Sequence, residues 1–498
     1  MLSQIARQLE INSARPAFFL NSKYSTYGEL AEKVAAVQAL IDKHHSSSNK
    51  IIGVVAHSDL ETYASILAIL FSGHGYLPIN PHNPIDRNAS ILRQAECDLL
   101  LSSKDEQPAT GLAHTLPDLR IVPTYGLRQV PGNIHFKSVP GTHYAYLLFT
   151  SGSTGVPKGV PISRKNLDAF LAGFFDIVGL DENDRVLQMF DLTFDFSVMS
   201  LFAPLVVGAC VFPASTDELR FMSVYRLLEE QEITCAPMVP SVLTFLRPYF
   251  EDICLEKLRY SVFCGEPLLA QVASEWAACG PNMRIVNFYG PTEATVFCSA
   301  YEWSISRQKS VNGALSIGKP MSKSTMVVVD DGGAILPANQ SGELCLAGEQ
   351  LTSGYWRDPH KNLEAFFEIT RAGSTERFYR TGDIAYVDED GDFMYQGRLD
   401  QQVKVQGFRI ELAEIEHHAR ACAGVTQVAA IAISNQVGLT EIVLCLENYT
   451  GEVKAVLDAL KEKMPAYMIP ARVVGFPGLP LNKNGKIDRP VLRELVSG

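Results

Sequence analysis

The run Thr150-Ser151-Gly152-Ser153-Thr154-Gly155-Val156-Pro157-Lys158-Gly159 interleaves glycines with hydroxyl side chains and adds one lysine. Such residues bring backbone N–H groups, O–H groups and a point charge within reach of phosphate oxygens. Chemistry on a polyphosphate is what the run could support. A Walker-type loop is disfavoured, because that motif needs Gly before its Lys and Ser or Thr after it, whereas Lys158 lies between Pro157 and Gly159. Alone, the run suits an exposed turn equally well. Its flanks decide the matter: Tyr144 to Phe149 reads as a buried strand entering the loop, and Asn166 to Phe174 as a helix leaving it.

A scaffold must position this loop, and 498 residues with 47% hydrophobic and 20% charged content can bury a sizeable core in several domains or subdomains. Strand-like Ile51 to Val55, helix-like Leu60 to Phe71, strand-like Tyr76 to Ile79 and a helix near Ile85 to Gln94 alternate as in a layered α/β domain. The alternation recurs at Ile121-Val122, Val186 to Met189, Gly208 to Phe212 and Arg284 to Phe288. Between Val327 and Ala347 it gives way to short strands with turns at Asp331-Gly332-Gly333 and Ser341-Gly342. After Asp400 come an amphipathic helix from Glu411 to Arg420, strands Val428 to Ile433 and Glu441 to Leu446, and a helix from Glu452 to Met464, a plausible small domain. The expected fold is therefore α/β. A large N-terminal domain, 1–399, combines α/β subdomains with a β-rich subdomain; a small α+β C-terminal domain, 400–498, follows, with Asp400 as the hinge.

Composition excludes other classes. A formal charge of −12 argues against a nucleic-acid or anionic-membrane surface. The apolar stretch Ile66 to Phe71 is too short to span a bilayer, and Met1 to Glu10 carries Arg7 and Glu10 where a signal peptide would be apolar, so a cytoplasmic location is expected; the expected oligomeric state is a monomer. Ten cysteines without a CxxC pair read as reduced, mostly buried thiols. The pairs His44-His45 and His417-His418 read as solvated helix residues, with too few ligands for a metal.

Five stretches, taken in order, resemble the adenylate-forming superfamily, in particular amino-acid adenylation domains of nonribosomal peptide synthetases and D-alanine:D-alanyl carrier protein ligases. They are the glycine loop; Asn287 to Thr295, reading NFYGPTEAT; Tyr379-Arg380-Thr381-Gly382-Asp383; Gly397-Arg398-Leu399-Asp400 with Lys404 and Gly407 to Glu411; and Asn484-Gly485-Lys486-Ile487-Asp488-Arg489. Gly73 to Pro81, GHGYLPINP, looks like a further family element. The resemblance implies ATP and Mg²⁺ as cofactors and two half-reactions: a carboxylate first attacks the α-phosphate, and the acyl group then moves to a phosphopantetheine thiol. Charge developing on the phosphorus oxygens and on pyrophosphate must be neutralised.

By this resemblance Glu293 is the Mg²⁺ ligand, since a hard cation takes carboxylate and phosphate oxygens together. Lys486 bridges the attacking carboxylate and the α-phosphate, and Thr154 assists from the glycine loop, whose Thr150, Ser151, Gly152, Ser153, Gly155 and Lys158 face the phosphates. Asp383 accepts from the ribose hydroxyls, with Arg398 on the same sugar. Tyr289 offers its face to adenine, Gly265-Glu266-Pro267 form the opposite wall, and Asn287 lies near the base edge, with Gly290 and Thr292 completing the motif. Asp195 resembles the aspartate that holds the α-ammonium of an amino acid, a contact worth on the order of 4 kcal/mol at about 4 Å and an effective dielectric near 20. Phe196, Met199, Met238, Val262, Cys264, Phe288, Val296 and Phe297 would line the side-chain pocket. Large apolar walls without a counter-charge imply a small uncharged amino acid, alanine first, and Cys264 resembles the cysteine that narrows the pocket in the D-alanine ligases. Phe288 is larger than expected there. The residues after Arg489 leave no room for a carrier domain, so the carrier is expected to be a separate protein. The small domain would swing about Asp400, replacing Lys486 with the Lys404 to Arg409 face. The rivals are another amino-acid adenylation enzyme, an acyl-CoA or aryl ligase that shares the ATP motifs without needing Asp195, and a silent nucleotide-binding scaffold, which would be marked by loss of Glu293, Asp383 or Lys486.

Overall fold

Ile51–Val55 is apolar at both faces of its pleat, the pattern of a strand buried between helical layers. In the computed structural model it pairs in parallel with Gly75–Ile79 on one side and Leu99–Ser102 on the other. The helix Leu60–Phe71 follows it, with Asp59 accepting from the Thr62 N–H at 2.8 Å to cap the N-terminus and every residue except Glu61 buried. The structure describes residues 1–45, 49–105, 107–127, 133–152, 155–216, 218–371, 373–425, 427–483 and 486–497.

Described residues divide into two compact units: 1–81, 92–148 and 159–399 form the first, and 82–91, 149–158 and 400–498 the second. The glycine loop and the start of the helix Ile85–Gln94 thus group with the C-terminal chain, which nothing in their sequence indicates. A six-stranded sheet, which belongs to the first unit except at Phe149, Thr150 and Lys158, runs in the order Arg120–Pro123, Leu99–Ser102, Ile51–Val55, Gly75–Ile79, Tyr144–Thr150, Lys158–Ser163. A nine-stranded sheet has a parallel centre, with Arg284–Tyr289, Tyr260–Phe263, Cys235–Met238, Arg185–Gln188 and Cys210–Pro213 as successive neighbours. The expected β-rich part is a five-stranded antiparallel sheet of Ser324–Val329, Gly342–Gly348, Ser374–Val387, Phe366–Arg371 and Phe393–Arg398. Its Asp331-Gly332-Gly333 turn is present, with Asp330 accepting from two backbone N–H groups at 2.9 Å, whereas Gly342 opens a strand instead of turning.

In the second unit, the hairpin Gln402–Val405 with Phe408–Glu411 leads into the helix Leu412–Ala423. A three-stranded sheet of Val428–Ser434, Thr440–Glu447 and Arg472–Phe476 is joined by the helices Val453–Lys461 and Arg489–Ser497. One histidine of each pair departs from expectation. His45 lies past its helix, packed 5.5 Å from the buried His74, and His418 is half-buried, where desolvation lowers its pKa. The cysteines are all free thiols, Cys254 being the exposed one. Among the described residues no helix is long and apolar enough to cross a membrane.

Candidate active site

Strand Arg284–Tyr289 pairs antiparallel with Ser299–Trp303, and the loop between them carries Thr292 and Glu293 on a single 3₁₀ turn, Thr292–Ala294. Gly290 is required at its entry, since a Cβ there would lie 2.3 Å from the Phe297 Cα. Thr295 and Val296 then take φ of 57° and 72°. For β-branched residues this left-handed conformation costs on the order of 1–3 kcal/mol each and persists only where its surroundings impose it. The buried Gln350 supplies that constraint. Its Nε2 donates to the carbonyls of Ala294 (3.2 Å) and Phe297 (2.8 Å), while its own carbonyl accepts from Thr295 Oγ1 (2.5 Å). Glu293 is fully buried. Its carbonyl accepts from the Thr352 N–H at 2.8 Å, and its Oε1 accepts from the Tyr355 hydroxyl at 2.7 Å, which lies 3.2 Å from the Tyr379 hydroxyl. A rigid carboxylate among hydroxyl oxygens is a hard donor set, and it fits magnesium.

Asp383 lies opposite Arg398 across two antiparallel strands. The guanidinium donates to Asp383 Oδ1 at 2.5 Å and to the Thr381 carbonyl at 3.0 Å, and the Tyr289 hydroxyl donates to Oδ2. Burial first, and the Asp383 charge second, push the Tyr289 phenol well above its ordinary pKa, so it stays protonated and donates. Both Asp383 oxygens thus already carry donors from the chain, beyond the ribose contacts expected of them. Asn287 donates to the Ser316 carbonyl at 2.9 Å, while its Oδ1 is buried with no hydrogen-bond partner, a polar atom that a bound base would satisfy. Gly265 takes φ of 93° and Pro267 is exposed; Glu266 accepts from the Ser241 N–H at 2.8 Å, serving the start of the helix Pro240–Leu246.

Asp195 begins the buried, mostly apolar helix Phe196–Val207, is 6% exposed, and makes no capping hydrogen bond to it. Phe196, Met199, Met238, Val262, Cys264, Phe288, Val296 and Phe297 belong to one buried core. Its centre is aromatic: Phe288 and Phe297 lie 4.2 Å apart, and Phe196 meets Phe297 edge-on at 5.9 Å. Tyr146 has a buried hydroxyl with no hydrogen-bond partner, and its pKa is raised by burial, then by Tyr76 and Asp195.

In the second unit, position 152 must be glycine, because a Cβ there would lie 2.0 Å from the Val156 carbonyl oxygen. The Gly152 N–H donates to Glu414 Oε2 at 3.1 Å, and Arg87 donates to Glu414 Oε1 at 2.6 Å. Ser151 donates to the Arg409 carbonyl at 2.9 Å and accepts from the Glu411 N–H at 3.2 Å; Lys158 lies 3.5 Å from Glu411. The Gly155 N–H closes a turn onto the Gly152 carbonyl at 3.0 Å, and the Thr150 Oγ1 is buried with no hydrogen-bond partner. Ser153 and Thr154 lie outside the described residues, as do Asn484 and Gly485. Lys486 is exposed on a turn closed by Asn482, which donates to the Lys486 carbonyl at 2.7 Å and accepts from its N–H at 3.1 Å. Asp400 is exposed and accepts from the Gln402 N–H at 3.1 Å.

Glu293 and Thr292 thus share one turn, Tyr289, Asp383 and Arg398 share one hydrogen-bonded group, and the glycine loop is bound to Arg409, Glu411 and Glu414. Tyr355, Gln350, Tyr146, Arg87 and Glu414 escaped the sequence reading.

The AMP-binding enzyme family matches residues 5–356. Tyrocidine synthase 1 of Brevibacillus parabrevis is 31% identical over 493 residues, covering 98% of this chain and 44% of that protein. D-alanine--D-alanyl carrier protein ligase of Bacillus cereus (strain B4264) is 31% identical over 518 residues, covering 100% of this chain and 99% of the ligase. The chain therefore spans less than half of the synthase and nearly all of the ligase. Among solved structures, an NRPS protein containing adenylation and PCP domains, bound to a vinylsulfonamide inhibitor, superposes with a TM-score of 0.88 at 26% identity, covering 99% of this chain and 83% of that one. Agreement of family, relatives and fold over most of the sequence makes this chain a member of the AMP-binding enzyme family, an adenylate-forming ligase that uses ATP and Mg²⁺.

Proposed function

We propose that the chain activates a small amino acid, alanine first and D-alanine by its likeness to the ligase, as an aminoacyl-AMP with release of pyrophosphate. It then passes the acyl group to the phosphopantetheine thiol of a carrier protein. The observation that carries this reading is Asp195, a carboxylate buried at the head of the buried, mostly apolar helix Phe196–Val207, which it does not cap. The α-ammonium of an amino acid is a partner of opposite charge suited to a buried carboxylate. The crowding of Phe196, Phe288 and Phe297 disfavours a long side chain, which supports alanine over larger apolar residues.

In this reading the substrate carboxylate attacks the α-phosphorus, the bond to pyrophosphate breaks, and Lys486 neutralises charge on the attacking and phosphorus oxygens. Glu293 holds Mg²⁺, Asp383 and Arg398 hold the ribose, Tyr289 and Asn287 hold the base, and Thr150, Ser151, Gly152 and Lys158 serve the phosphates. Rotation about Asp400 then exchanges Lys486 for the Lys404 to Arg409 face, so that one site serves both half-reactions.

Pyrophosphate exchange over a panel of D- and L-amino acids, fatty acids and aryl acids tests the proposal. Exchange should appear with alanine and fall steeply for acids that lack the amino group. Robust exchange with fatty or aryl acids alone would remove the role given to Asp195.

A further inference from the structure

Resting on the reading of Glu293 as the magnesium ligand, we propose that Tyr355 is the residue that positions it, by donating its hydroxyl to Glu293 Oε1. One short segment grips Glu293 twice. The Thr352 N–H holds the Glu293 carbonyl at 2.8 Å, and three residues later the Tyr355 hydroxyl holds the side chain at 2.7 Å. Main chain and carboxylate are thereby tied to the same strip of backbone, so the carboxylate cannot rotate without breaking a bond inside a fully buried site.

Tyr355 is itself fixed at both ends. Asn362 brackets its backbone, accepting from the Tyr355 N–H at 2.7 Å and donating to its carbonyl at 3.2 Å. Asn362 stands on the helix Pro359–Ala365, which Asp358 caps by accepting from the Lys361 N–H at 2.9 Å. The ring meets Phe366 edge-on at 6.1 Å, Phe366 packs on Tyr379 at 5.3 Å, and Arg377 covers the outer face of Phe366 at 3.9 Å. The two phenols lie 3.2 Å apart, so Tyr379 can donate to Tyr355 while Tyr355 donates to Glu293. A carboxylate offers about four acceptor positions, and a neutral donor such as the phenol fills one of them without neutralising the charge that a cation needs. Partners of this kind, one bond removed from a metal, are worth about 10- to 100-fold in metal affinity.

The test compares the intact chain with Tyr355→Phe, which deletes one oxygen and keeps the ring, and with Glu293→Gln. Mn²⁺ is titrated by electron paramagnetic resonance in the presence of α,β-methylene-ATP, and the Mg²⁺ dependence of pyrophosphate exchange is measured alongside. Tyr355→Phe should weaken Mn²⁺ binding about tenfold and raise the Mg²⁺ requirement equally, with exchange at saturating Mg²⁺ and the KM for amino acid changed less than twofold. Tyr379→Phe should move the same readout in the same direction by a smaller factor. If Glu293→Gln loses Mn²⁺ binding while Tyr355→Phe binds it as the parent does, the positioning role of Tyr355 is wrong and the magnesium ligand stands. If Glu293→Gln binds Mn²⁺ normally, the reading of Glu293 falls, and the role of Tyr355 with it.

Discussion

Glu293 in the first unit and Glu414 in the second are both fully buried carboxylates, and they are held in contrasting ways. The Glu293 side chain accepts from a neutral phenol, and its backbone is clamped by Thr352. Glu414 lies between the guanidinium of Arg87 at 2.6 Å and the N–H of Gly152 at 3.1 Å. A neutral donor fixes direction and preserves negative charge, whereas a guanidinium consumes that charge in an ion pair. The first arrangement suits a ligand for a cation that comes and goes; the second suits a permanent tie between the glycine loop and the helix Leu412–Ala423. The same contrast extends to the donors. The N–H of Gly152 and the hydroxyl of Ser151, expected to face phosphates, already bond to groups of their own unit.

The largest expected effect breaks the comparison at its functional end. Glu293→Gln keeps the shape and the hydrogen bond from Tyr355 but removes the charge, and should lower pyrophosphate exchange by about a thousandfold, comparable to losing a principal electrostatic group at a reacting phosphate. Thermal unfolding should be nearly unchanged. A large loss of stability with little loss of exchange would make Glu293 structural, as Glu414 is.

The converse substitution is Glu414→Gln. It leaves Arg87, only 7% exposed at its side chain, buried beside a neutral amide. Breaking a buried ion pair from one side costs about 3–5 kcal/mol. Denaturant unfolding should show that loss, and the double variant Arg87→Met with Glu414→Leu should recover most of it. An unchanged midpoint for the single variant would mean that the pair is not a structural tie.

Asp195→Asn probes a third buried carboxylate, whose proposed partner is the substrate. A charge-assisted hydrogen bond is worth about 1.5–3 kcal/mol, so the KM for amino acid should rise by about 10- to 100-fold. The KM for ATP should stay within a factor of about two, since the substitution leaves the phosphate-facing residues untouched. Equal rises in both constants would place Asp195 in the fold and not at the substrate.

The line between what the sequence discloses and what it hides follows chain separation. The loop around Gly152, the Glu293 turn and the Asp383 strand are local runs with their own composition, and each is legible before any coordinate. A strand of the α/β core was also readable to within a residue, Val186 to Met189 against Arg185–Gln188, because burial on two faces leaves continuous apolar runs, and the amphipathic helix expected from Glu411 to Arg420 runs Leu412–Ala423. Tyr355 meets Glu293 across 62 residues, Gly152 meets Glu414 across 262, and Arg87 meets Glu414 across 327. No periodicity encodes such pairs. The left-handed turn at Thr295-Val296 was hidden for another reason: β-branched residues favour extended strands, and the buried contacts of Gln350 override that preference.

The smallest expected effect sharpens the comparison at the glycine loop itself. Ser151 donates to the Arg409 carbonyl and accepts from the Glu411 N–H, so Ser151→Ala removes two hydrogen bonds within the second unit and leaves both backbone groups to water. The net loss should be about 1 kcal/mol of stability, since each bond is exchanged for one with solvent. If the hydroxyl also serves a phosphate, the KM for ATP should rise about fivefold in addition, a loss of similar size to one neutral hydrogen bond. Measuring the two together separates the roles. A shift in unfolding with an unchanged KM for ATP would place Ser151 with Glu414 as part of the tie, whereas a rise in KM at constant stability would place it with Glu293 among the groups that meet the nucleotide.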